Sequence, residues 1–116
     1  MIGNQIAAAQ DELGERRVIA IRREFIELGG DHVVAVLLSQ IHYWYAPAKN
    51  GKTKLRVQRH GHLWIAKTRE QWMAETGLTL KRYRRAIAVL KQKGLVEVKQ
   101  MLFAGKAMSH IRLLNP

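Results

Sequence analysis

The chain has 116 residues, enough for one domain with its own core, and it contains no cysteine, which excludes disulfides and thiolate metal sites. The formal net charge is +11, and residues 49–116 hold sixteen Lys or Arg against three acids. Since no run reaches the roughly 18 apolar residues of a membrane span and the N-terminus does not resemble a signal peptide, we expect a cytoplasmic protein.

The first thirty residues predict a lead-in segment to a single domain that occupies residues 31–116. The pattern of residues 4–13 predicts a short helix, and residues 18–21 predict a short strand. One or two helical turns then end at Gly29 and Gly30. The Ala-rich face of the first helix is a candidate contact for a homodimer, although a helix this short does not by itself predict one.

Residues 32–45 predict a buried central helix. Asp31 is a suitable N-cap, and Pro47 ends the segment. The helix is apolar around most of its circumference, which is typical of a helix enclosed by other elements. The following residues 49–59 are basic and rich in turn formers, and they predict an exposed loop that leads into a short hairpin with Gly61 at its turn and residues 62–66 as the return strand.

Two helices separated by a short turn follow this hairpin. Thr68 and Gln71 have the spacing of a capping box for a helix over residues 69–76 that stops at Gly77. Thr79 then caps a second helix over residues 80–93, with Gly94 at its C′ position.

The C-terminal segment alternates with period two. Residues 95–101 and 108–114 therefore predict an antiparallel hairpin with its tip at residues 103–105. The strand before Thr68 is expected to pair with this hairpin. The predicted fold class is α+β, mainly helical, a winged helix-turn-helix with a small antiparallel β-sheet.

The helix over residues 80–93 contains six Lys or Arg and no acid. Leu80, Tyr83, Ala86 or Ile87, and Leu90 form one apolar stripe, and the cations lie outside it. Like charges three or four residues apart destabilise a helix by about 0.2–0.5 kcal/mol per pair, and cations at its N-terminus oppose the helix dipole. The pattern indicates an external anion, although a solvated basic surface is the alternative.

Double-stranded DNA is the anion that fits a basic helix of this kind, because the major groove admits an α-helix whose N-terminal residues reach the base edges. Thr79, Lys81, Arg82 and Arg85 occupy that end of the helix. Arg82 and Arg85 are the main base-facing candidates, and Lys81, Arg84 and Lys91 are expected on phosphates. The hairpin would be the wing, with candidate contacts to the minor groove or backbone from five residues: Lys99, Gln100, Lys106, Ser109 and Arg112.

Three stretches carry a resemblance to a known family: AVLLSQIHYWY at residues 35–45, LWIAKTREQWMAETGLT at 63–79 and RRAIAVLKQKGLVEV at 84–98. Together they resemble the winged-helix domains of phage- and plasmid-encoded replication proteins. The resemblance implies recognition of origin DNA or loading of the replication machinery. A transcriptional regulator with the same domain is one alternative, and a module that binds an acidic protein such as a helicase is another. The basic loop 49–59 is longer and more charged than the family pattern.

Other motifs do not predict a site. Asn50–Thr53 ends like a phosphate-binding loop, but Ala46 stands where that motif needs glycine. His60 and His62 lack further ligands for a metal. Neither of the two serines lies in a nucleophile motif. We therefore expect no catalytic residues, no cofactor and no metal, and a protein that is not an enzyme.

Overall fold

The computed structural model describes residues 21–114, which form four helices and four strands. The helices are α1 (Arg23–Gly29), α2 (His32–Tyr45), α3 (Arg69–Thr76) and α4 (Leu80–Gln92). The strands are β1 (Val57–Arg59), β2 (His62–Ala66), β3 (Val96–Phe103) and β4 (Lys106–Leu113). The helix expected at residues 4–13 and most of the strand expected at residues 18–21 lie outside the described residues.

The helix boundaries follow from local capping chemistry, as the sequence predicted. The Asp31 carboxylate accepts a hydrogen bond from the Val34 N–H at 2.9 Å and starts α2. Thr68 and Gln71 form the reciprocal capping box of α3, and the Thr79 hydroxyl accepts from the Arg82 N–H at 3.3 Å to start α4. Helix α4 ends one residue earlier than predicted, because Lys93 is its C-cap.

The four strands form one antiparallel sheet in the order β1-β2-β4-β3. The β3–β4 hairpin runs in register from Val96 opposite Leu113 to Phe103 opposite Lys106. Strand β2 joins it through β4, with Ile65 opposite Ile111. The expected pairing of the strand before Thr68 with the C-terminal hairpin is therefore confirmed.

The core lies between α2, α4 and one face of the sheet. Helix α2 is enclosed on most sides, as its composition predicted, and α4 adds the buried part of its apolar stripe. Fully or almost fully buried side chains of this core include Val34, Leu37, Leu38, Ile41, Ile65, Trp72, Ala86, Leu90 and Ile111. The α+β class is confirmed, and the order α3, turn, α4 and hairpin matches that of a winged helix-turn-helix.

A polar cluster inside this scaffold joins three elements. We call it the Glu75 cluster; it consists of Gln40 and Trp44 on α2, Lys67 after β2, and Glu75 on α3. Glu75 Oε1 accepts from Gln40 Nε2 at 2.9 Å and from Trp44 Nε1 at 2.8 Å. Glu75 Oε2 lies 2.6 Å from Lys67 Nζ. The Lys67 ammonium also lies 3.9 Å from the centre of a Trp44 ring.

The Glu75 carboxylate is partly withdrawn from water yet ionised. Burial by itself raises the pKa of Glu75, but the hydrogen bonds from Lys67, Trp44 and Gln40 outweigh it and hold the pKa below its ordinary value of 4.5. The Lys67 and Glu75 side chains are only 14% and 15% exposed, so solvent screens their interaction far less than that of a surface pair.

A second contact fixes the C-terminal end of α2 on the sheet. The Tyr45 hydroxyl donates to the Leu63 carbonyl oxygen at 2.7 Å and accepts from the Leu113 N–H at 3.2 Å. Lys54 closes the same end of α2, where its ammonium donates to the carbonyl oxygens of Tyr43 and Ala46. Lys54, in the basic loop 49–59, thus helps to terminate a helix.

The Glu75 cluster predicts a specific stability loss. Glu75→Gln removes the charge that compensates Lys67, and we expect the free energy of unfolding to fall by about 2–4 kcal/mol, because breaking a buried ion pair leaves an uncompensated charge. Urea denaturation measures this change. Glu70→Gln, on the exposed side of the same helix, should cost no more than about 1 kcal/mol. Equal losses in the two variants would contradict the role given to Glu75.

The lowered pKa of Glu75 predicts how that loss depends on pH. A carboxyl whose pKa is lower in the folded state stabilises the fold above its unfolded pKa and loses this contribution as pH falls through its folded pKa. The stability difference between wild type and Glu75→Gln should therefore be full at pH 6–7 and shrink below the ordinary Glu value of 4.5. Urea denaturation at a series of pH values tests this, and a difference that grows on acidification would contradict it.

Candidate nucleic-acid interface

Helix α4 separates an apolar face from a cationic face. Tyr83, Ala86 and Leu90 are buried, and Leu80 and Ile87 are half-buried, so the predicted stripe is confirmed. The opposite surface, which we call the cationic face, consists of the exposed residues Lys81, Arg82, Arg84, Arg85 and Lys91. Because the apolar stripe packs on the core, the residues of the cationic face, on the opposite side of the same helix, point to solvent.

Most of the cationic face is not neutralised by the described part of the chain. Within residues 21–114, Lys81, Arg82, Arg84 and Lys91 form no ion pair with a carboxylate. Three of these four residues lie in the first two turns of α4, where the helix dipole is also positive. This end of the helix therefore presents a concentrated positive potential to solvent.

Arg85 departs from the expectation that the whole cationic face is unneutralised, and the expectation is wrong at this residue. Its Nη1 donates to Asp31 Oδ2 at 2.9 Å, across 54 residues of sequence. The pair lies at the surface, with the side chains of Arg85 and Asp31 48% and 44% exposed. Helix packing brings the start of α2 beside the second turn of α4, and local sequence patterns do not show this proximity.

Asp31 thus has two partners, one for each carboxylate oxygen. Oδ2 accepts from Arg85, and Oδ1 accepts from the Val34 N–H as the N-cap of α2. The hydrogen bond from Arg85 lowers the pKa of Asp31 below its ordinary value, and the bond from the Val34 N–H acts in the same direction. The carboxylate is held in one orientation by the helix that it caps.

The candidate wing residues fall into two groups. Lys106, beside the turn of the β3–β4 hairpin, is exposed and makes no ion pair among residues 21–114. Arg112 instead donates from Nη2 and Nε to Glu97 Oε1, at 2.7 and 3.0 Å. Lys99 Nζ lies 3.5 Å from Glu97 Oε2. Two of the three predicted wing cations therefore share one carboxylate.

Glu97, on β3, belongs to this surface, although it was not among the residues predicted from the sequence. The hairpin register places it directly opposite Arg112, and the hydrogen bond from Arg112 is the main cause that lowers the pKa of Glu97. A register assigned from the turn would have revealed the pair. Gln100 and Ser109, also predicted contacts, face each other across the strands at 2.6 Å between Nε2 and Oγ.

The end of β1 contacts the tip of the β3–β4 hairpin, where Arg59 Nη2 donates to the Leu102 carbonyl oxygen at 2.9 Å. The prediction of an exposed loop over residues 49–59 is therefore wrong at its C-terminal end, because residues 57–59 form β1 and the Leu55 and Val57 side chains are buried. No sequence pattern indicates the contact between Arg59 and Leu102. Among residues 21–114, no three His, Asp or Glu side chains come together in a way that could hold a metal ion. No helix in the same range is long and apolar enough to span a membrane.

Comparison with known proteins supports the fold assignment. No protein-family model matches the chain, and no curated protein sequence matches it. A solved structure described as the N-terminal domain of a DNA-binding protein is similar to this chain with a TM-score of 0.50 and 14% sequence identity. The similarity covers 91% of this chain and 80% of that one. At this identity the likeness concerns the fold.

The cationic face predicts a stability effect that depends on position along α4. Lys81→Glu removes repulsion with Arg84 and Arg85 and places an acid at the positive end of the helix, so we expect a gain of about 0.5–1 kcal/mol. Lys91→Glu makes the same change in charge near the negative end, and we expect a loss of about 0.3–1 kcal/mol. Thermal denaturation at low salt compares the two. Effects of the same sign would mean that net charge, and not position on the helix, decides the outcome.

Proposed function

We propose that this protein binds double-stranded DNA, with α4 in the major groove and the β3–β4 hairpin against the backbone or the minor groove. The observation that carries the proposal is the cluster of Lys81, Arg82 and Arg84, exposed and without carboxylate partners among residues 21–114. These cations lie at the start of the second helix of a helix-turn-helix, which is the part that enters the groove in such motifs. The proposed activity is binding, without catalysis and without a cofactor.

The positions of the residues on α4 support separate roles, some in contacts with base edges and others in contacts with the backbone. Arg82 and Arg85 are the proposed base-facing side chains, and Thr79, Lys81, Arg84 and Lys91 are proposed to contact the sugar-phosphate backbone. Lys106 is the wing residue best placed to bind phosphate, because Glu97 already engages Lys99 and Arg112. Phosphate contacts of this kind fix the orientation of a protein on the duplex, while base contacts select the sequence.

A role in plasmid or phage replication is the finer form of the proposal. The motifs that resemble replication winged helices support it. The description of the similar structure as a domain of a DNA-binding protein supports DNA binding in general. A transcriptional regulator is the second candidate. Selection of bound duplexes from a random pool discriminates the two: clustered direct repeats favour origin recognition, whereas a palindromic site favours a promoter-binding dimer.

An acidic protein partner is the third candidate, supported by the same cationic face. It differs from DNA in the salt dependence that it predicts. Binding to duplex DNA releases counterions, so log K should fall linearly with log salt concentration at about −0.9 per phosphate contacted. Weak duplex binding with a shallow slope, beside tight binding of an acidic protein, would favour the third candidate and contradict the first.

Removing two cations from α4 tests the DNA-binding surface. We expect the double variant Lys81→Ala, Arg82→Ala to bind a duplex at least tenfold more weakly, since one phosphate contact and one base contact are lost, and to reduce the salt slope by about 0.9, the value for the phosphate contact of Lys81. Fluorescence anisotropy over a series of salt concentrations measures both quantities.

The matched control is an equal loss of charge elsewhere on the surface. Arg22→Ala, Arg23→Ala removes two exposed cations from the start of α1 and should leave the affinity within a factor of about two. Both double variants should unfold near the wild-type temperature, because none of the four side chains is buried. An equal loss of affinity in the two variants would show that the overall field, and not α4, binds the duplex.

A further inference from the structure

The ion pair between Asp31 and Arg85 lies within the proposed DNA-binding surface and has a consequence for selectivity. Arg85 reaches Asp31 through Nη1 at 2.9 Å, which leaves Nε and Nη2 of the guanidinium for other acceptors. Asp31 cannot swing away freely, because its Oδ1 caps α2 by accepting from Val34 at 2.9 Å. A fixed negative charge therefore stands beside one cation of the cationic face.

A DNA phosphate and a DNA base edge respond differently to this arrangement. A phosphate that binds Arg85 must compete with the Asp31 carboxylate and approach it closely, and like charges at such distances repel. A guanine edge offers the neutral acceptors O6 and N7, which can accept from the remaining N–H groups while the ion pair stays intact. Asp31 is thus expected to penalise backbone contacts by Arg85 more than base contacts.

We propose that Asp31 is a selectivity residue, which occupies Arg85 as an internal anion and so lowers the affinity of the protein for duplex DNA of arbitrary sequence. This proposal rests on the proposed function. Asp31 itself touches no base; it acts through Arg85. The partial exposure of both side chains leaves the remaining N–H groups of Arg85 accessible to a base edge while the pair stays intact.

The substitution Asp31→Asn isolates this effect. Asparagine is as good an N-cap as aspartate, so it keeps an acceptor for the Val34 N–H and removes the charge that opposes phosphate. We expect the affinity for a random-sequence duplex to rise about three- to tenfold and the salt slope to steepen by about 0.9, the value for one added phosphate contact. The affinity for the best duplex from a random-pool selection should change less, so that the ratio of the two affinities falls.

Two controls make the effect specific to the pair. In an Arg85→Ala background, Asp31→Asn should change neither the affinity for random duplex nor the salt slope. Glu27→Gln removes the same charge from an exposed position on α1 and should leave the slope at the wild-type value. Thermal unfolding of Asp31→Asn near the wild-type temperature would show that the cap is retained.

The outcomes separate this proposal from the proposed function. If the wild type binds duplex DNA and Asp31→Asn leaves its slope and affinity unchanged, or weakens binding as Arg85→Ala does, the selectivity role is overturned and the DNA-binding function stands. A gain in Asp31→Asn that Glu27→Gln reproduces would also overturn it, since net charge would then suffice. Absence of duplex binding by the wild type at low salt would overturn both.

Discussion

The Glu75 cluster is the constraint on which the placement of the proposed surface depends. One carboxylate accepts from two side chains of α2 and pairs with Lys67 at the end of β2. Helix α3 is thereby held against α2, and the turn at Gly77, whose φ is 77°, fixes the direction in which α4 leaves it. A purely apolar contact would hold α3 with less directional preference, since hydrogen bonds and ion pairs require particular geometries whereas hydrophobic contact does not.

Helix α4 is stabilised from one side and destabilised from the other. Burial of Tyr83, Ala86 and Leu90 holds the helix on the core, at roughly 25 cal/mol for each Å² of apolar surface removed from water. The repulsion along the cationic face costs a few tenths of a kcal/mol per pair, so packing outweighs it. The helix can therefore keep an electrostatically unfavourable surface, and such a compromise is expected where a surface serves binding.

Local chemistry explains why the elements were predictable and the ion pairs were not. The caps at Asp31, Thr68 and Thr79 act within three residues, so a linear sequence displays both partners. The contacts of Glu75 with Gln40 and of Arg85 with Asp31 span 35 and 54 residues, and periodicity contains no information about them. The predictability of the Glu97–Arg112 pair lies between these two cases, because the hairpin register alone places the two residues opposite each other. The sequence therefore predicted which residues of α4 face solvent, but not which of them are neutralised.

The same distinction applies to the three stretches on which the resemblance to replication winged helices rests. Its motifs include Gln40, Trp44, Lys67 and Glu75, and the structure places all four in one cluster inside the scaffold. The matching stretches stop at Thr79 and resume at Arg84, so Lys81 and Arg82 fall between them. The resemblance therefore rests in part on residues that orient α3 against α2, whereas Lys81 and Arg82, two of the cations proposed to meet DNA, lie outside the matching stretches. The polar cluster can therefore be kept while exposed positions of α4 are substituted, because side chains at such positions make few contacts with the fold.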